Sequence, residues 1–171
     1  MRKALDTFYQ ACGVIAGIFM ALIAGVILYQ VIGRNLGFGI PGVDDLAALF
    51  LVASSFLALA PTLRAGGHIR VNLLLQYLPP SLRWLAELWC LGFGAALIGF
   101  LTYFTLSMTW GSFLYGDRAI GQLPILMWIP QGGAALGLMA LTIAFIDDLV
   151  AVLRREKPSY HDAEMDLQSE G

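Results

Sequence analysis

Charge is what this 171-residue chain has least of: 13 per cent of its residues are Asp, Glu, Lys or Arg. A soluble domain carries about 25 per cent. With 58 per cent hydrophobic residues beside that scarcity, the chain is not a water-soluble fold. Its net charge of −2 gives no electrostatic reason to expect nucleic acid as a partner. Histidine and cysteine are equally sparse, at two residues each. Cys12 and Cys90 both sit inside apolar runs with no CxxC, so they frame neither a disulfide nor a metal site and read as small packing residues. No HExxH, G-x-S-x-G or P-loop occurs, and the apolar runs hold no pair of carboxylates or histidines. Haem would need axial ligands such as His within the helices. Met108, Met127 and Met139 are unpaired methionines in apolar surroundings, ordinary core filler. The expectation is no enzyme, no cofactor and no metal.

What is present is long and apolar. Thr7–Gly33, Leu46–Leu63, Leu88–Gly116 and Ala119–Ile146 contain no Asp, Glu, Lys, Arg or His. About 20 apolar residues cross a bilayer as a helix. The chain therefore reads as an all-α integral membrane protein with four transmembrane helices over about 7–33, 46–63, 88–116 and 119–146. The first run is too long for the core of a cleaved leader, and no A-x-A-like site follows it. A turn around Gly116-Asp117-Arg118 joins the last two helices.

Eight of the ten Lys and Arg fall on one side of this arrangement: Arg2, Lys3, Arg64, Arg70, Arg83, Arg154, Arg155 and Lys157. Only Arg34 and Arg118 fall on the other. Positive charge marks the cytoplasmic side, which places both termini there. The membrane domain covers 1–158. The remainder, 159–171, has four acids and few large apolar groups and reads as a disordered cytoplasmic tail.

The connection after the second helix, RAGGHIRVNLLLQYLPPSLRW (64–84), is too short to span and too apolar for a solvated loop. Gly66-Gly67 can end a helix. Val71, Leu74, Leu75 and Leu78 then share one helical face, and Pro79-Pro80 stop it. A short interfacial helix between helices two and three follows from that spacing. Arg64 suits the negative end of the second helix, and Arg64 and Arg70 both obey the charge rule.

None of the four charge-free runs holds an ionisable group of the kind that binds substrate or coupling ions in a transporter. The polar residues they do hold, Ser54, Thr102 and Thr142 among them, suit helix–helix hydrogen bonds. On its own the chain is not expected to move a solute. Small residues recur instead: Gly13, Gly17, Ala21 and Gly25 in the first run, Gly92, Ala96 and Gly99 in the third, Gly133 and Gly137 in the fourth. Such stripes let helices approach closely in lipid. They serve packing within the chain, and three of them leave one available for another protein. Asp44 and Asp45 open the second helix, where one carboxylate would satisfy its unpaired N–H groups. The second is then free for a basic partner.

The set Arg64, Gly66, His68, Ile69, Val71 and Asn72, with the acidic pair Asp44-Asp45 upstream and Leu78-Pro79 downstream, resembles the small membrane subunit of tripartite ATP-independent periplasmic (TRAP) transporters, the DctQ-like family. The family's Trp before its acidic pair is Val43 here, and its glutamates are Asp44 and Asp45. The resemblance implies a bacterial inner-membrane subunit that scaffolds a large multi-span membrane subunit. That partner would carry out Na⁺-coupled uptake of an organic acid delivered by a periplasmic substrate-binding protein. It also implies contact with membrane lipid at the interfacial segment. The competing reading is a stand-alone four-helix channel or membrane anchor that homo-oligomerises through its glycine stripes.

Overall fold

A computed structural model describes residues 2–38, 41–64 and 79–154. Positions Gly66, His68, Ile69, Val71 and Asn72, the expected interfacial helix and the acidic tail lie outside the described residues. Lipid offers backbone groups no hydrogen bonds, so an apolar run satisfies them internally as a helix. The result is α1 (Arg2–Asn35), α2 (Val43–Arg64), α3 (Pro80–Tyr115) and α4 (Trp128–Leu153). All four are long and apolar enough to span a membrane. No strand occurs among the described residues, only an isolated bridge between Arg118 and Leu126.

Glycine ends two of the helices. At φ +83°, Gly37 turns the chain so that the Phe38 N–H reaches back to the Gly33 carbonyl at 2.9 Å. Gly116, at φ +65°, lets its own N–H and that of Asp117 close on the Ser112 carbonyl.

The fourth helix departs from expectation. It begins at Trp128, not at 119, and continues past 146 to Leu153. Pro124 accounts for the late start, because proline lacks an N–H and disfavours helix in the residue before it. Residues 117–127 fold back on themselves instead. Ala119 N–H bonds to Ile125 O at 2.8 Å, and Met127 N–H to Asp117 O at 2.9 Å. Pro130 is tolerated because it lies in the first turn of α4. The far end carries Asp147 and Asp148 within the helix, which corrects the expectation of spans free of ionisable groups.

Packing runs in one line: α1 on α2, α2 on α4, α4 on α3. No extensive contact joins α1 to α3 among the described residues, so the four helices form an open row. Between α1 and α2, Ser54 Oγ donates to the Ala16 carbonyl at 3.0 Å, and Gly13 makes room for the Pro61 ring. Between α2 and α4, which run parallel, Gly133 lies over Ala53 and Gly137 meets the Phe56 main chain. Between α4 and α3, Thr102 and Thr142 share a 2.8 Å hydroxyl hydrogen bond, and Phe145 covers Gly94. These threonines and Ser54 do make the interhelical bonds expected of them. α4 is the most buried helix, and Ala140, Leu141 and Ala144 join Tyr9, Cys12, Ala60 and Leu63 in the core.

Candidate functional site at the two ends of the helix row

At one end α1, α2 and α4 converge on an arginine. Arg64 terminates α2, and because α2 and α4 are parallel their last turns arrive side by side. The Arg64 guanidinium donates to Asp147 Oδ2 at 2.7 Å. The two side chains are 15 and 28 per cent exposed in the isolated chain. Tyr9 of α1 lies under the same guanidinium, 4.7 Å from carbon to ring centroid. That contact combines charge with the negative face of the ring. Tyr9 is itself buried at 2 per cent exposure, as is Asp148 one residue on from the ion pair. Trp84, near the start of α3, adds a longer bond from Nε1 to the Val152 carbonyl at 3.4 Å. One charged residue thus fastens three helices, and the fourth is tied alongside.

At the other end the 117–127 segment closes over the start of α2. Asp45 Oδ2 accepts the Leu123 N–H at 2.9 Å, and the Gly42 N–H donates to Gln122 Oε1 at 2.6 Å. The approach is close on both sides. A side chain at Gly42, which also has φ +85°, would collide with Leu123. One at Gly121 would come within 2.6 Å of the Asp45 carboxylate. Asp45 therefore holds a loop of its own chain, while Asp44 is exposed. The tip of the loop presents Ile120 fully to the surroundings.

The small-residue stripes separate into three cases. Gly133 and Gly137 face α2 inside the chain. In α1 only Gly13 is covered, whereas Gly17, Ala21 and Gly25 are exposed, with open space at both glycines. In α3 a side chain begun at Gly99 would meet Thr142 Cγ2 at 3.9 Å, one at Gly92 would meet none of the described residues, and Ala96 is exposed. The seam with α4 uses Gly94 instead, a residue outside the stripe.

Sequence reasoning found Asp45 and Arg64 but not Asp147, Tyr9, Gln122 or Leu123. One signal for the first was present: two adjacent acids at the end of an apolar run, matched by a lone arginine at the end of another. Among the described residues no group of three or more His, Cys, Asp or Glu side chains is placed to hold a metal ion.

One comparison with known proteins bears on most of the chain. A family model described as "Tripartite ATP-independent periplasmic transporters, DctQ component" matches residues 23–155. No curated protein and no solved structure matches.

Proposed function

Since the chain belongs to the DctQ component family of tripartite ATP-independent periplasmic transporters, we propose that it is the scaffold of its transporter and contributes no ligand to the transported solute. It is a small permease subunit in a multi-pass membrane assembly. Its large membrane partner would carry the Na⁺-coupled path for an organic acid, and a periplasmic binding protein would deliver that acid. Both termini would face the cytoplasm across the bacterial inner membrane.

The observation that carries this reading is where the polar groups are used. Midway along the row, Ser54, Thr102 and Thr142 are consumed in bonds between helices. The charged groups gather at the two ends, where they fasten the chain to itself. An open row suits a wall against which another subunit works, because among the described residues each outer helix packs extensively on one neighbour.

The test is reconstitution with the partner subunits. Ser55→Ala, Thr105→Val and Gln131→Leu each remove polar capacity from a helix. Each should leave the apparent solute and Na⁺ affinities within about threefold, because interhelical hydrogen bonds in membranes average about 0.6 kcal/mol. A tenfold loss of either affinity with normal assembly would place this chain in the transport path. A homogeneous, solute-permeable homo-oligomer purified without partners would favour the stand-alone channel instead.

A further inference from the structure

We infer that the Arg64–Asp147 ion pair lies on the hydrocarbon side of the membrane interface, as a dry lock between parallel helices and not a salt bridge in water. Three contacts give its depth. Thr102 meets Thr142, Gly94 meets Phe145, and Trp84 meets Val152, so α3 and α4 run antiparallel in a known register. Asp147 is therefore level with the Leu91–Gly94 turn of α3. Beyond that level α3 goes on presenting large apolar side chains outward: Trp89 is 70 per cent exposed, Leu85 58 per cent and Leu82 53 per cent.

Residues of that kind at that exposure face lipid or its headgroups, since water would leave a continuous apolar strip unburied. Tryptophan marks the boundary of the hydrocarbon. From Trp89 to Trp110 the helix rises about 32 Å, close to the roughly 30 Å of a bilayer core. The ion pair then sits about one turn inside the Trp89 level, with Glu87 and Arg154 out in the belt. Tyr9 closes it from the side of α1.

A pair in that position obeys different rules from a surface one. Salt screens exposed charges and barely touches buried ones. Removing one partner strands a charge in a low-dielectric site, whereas replacing both by apolar groups of similar volume is tolerated.

The full chain in lipid nanodiscs gives the test. Arg64→Gln and Asp147→Asn should each lower recovery of folded protein about tenfold or more. The doubles Arg64→Met with Asp147→Leu, and Arg64→Asp with Asp147→Arg, should restore most of it. Thermal stability of the unaltered chain should not change between 50 mM and 1 M NaCl. A spin label at Phe93→Cys, on the outer face at the same level, should collide with dissolved oxygen and not with an aqueous nickel chelate. The inference is overturned if high salt erases the difference between the unaltered chain and the single variants. It is equally overturned if the label at 93 is open to the aqueous chelate, or if the doubles fare no better than the singles.

Discussion

At the residue scale, glycine matters here by where it is crowded, and spacing alone does not report that. Gly137 meets the Phe56 backbone, which cannot swing aside as a side chain could. Gly92 has open space around it. Gly137→Ala should therefore destabilise the chain by about 1–3 kcal/mol, the usual range for overpacking. Gly92→Ala should be neutral or slightly stabilising, because alanine is the better helix former. Thermal unfolding of the two variants in the same lipid would decide it, and equal melting temperatures would contradict the crowding at Gly137. Gly17→Leu should leave the isolated chain unchanged, since none of the described residues faces that position. Lower co-purification of a partner by that variant would mark the α1 face as an interface.

At the element scale, the charge-free runs were sufficient to find four helices, because a bilayer-length apolar segment has few alternatives. They were not sufficient to place the start of α4. Ala119 to Met127 is as apolar as the helix after it, and only Pro124 distinguishes the two. The Arg64–Asp147 pair was illegible for another reason. Its partners are 83 positions apart, and only the parallel register of α2 and α4 brings them together. The carboxylate of Asp45 was found as a helix-start acid, but its use on Leu123 depends on the same folded-back segment. Asp45→Ala leaves the Leu123 N–H without its charged acceptor, a loss of about 1.5–3 kcal/mol for such a bond. Faster amide hydrogen exchange at Gly42 and Leu123, with unchanged exchange along α3, is the expected signature. Uniform acceleration throughout the chain would show that the loop is not an independent unit.

At the scale of the whole molecule, the eight-to-two division of positive charge predicts which way the row faces. Single-cysteine variants at positions 39 and 68, made in a chain lacking Cys12 and Cys90, would report it in intact cells. A membrane-impermeant thiol reagent should modify position 39 and spare position 68. The reverse pattern would invert the topology and move the Asp45 loop to the cytoplasmic side.

The unequal lengths of neighbouring helices carry a last consequence. α3 has 36 residues and α4, packed against it, has 26. At 1.5 Å per residue they differ by about 15 Å. Between Trp89 and Trp110 α3 already fills a core of about 30 Å, so its remaining turns stand outside the hydrocarbon. α1, with 34 residues at the opposite end of the row, overhangs likewise, while α2 and α4 between them have 22 and 26. The row is therefore taller at its two edges than at its middle, and the edges are the parts that reach past the membrane surface.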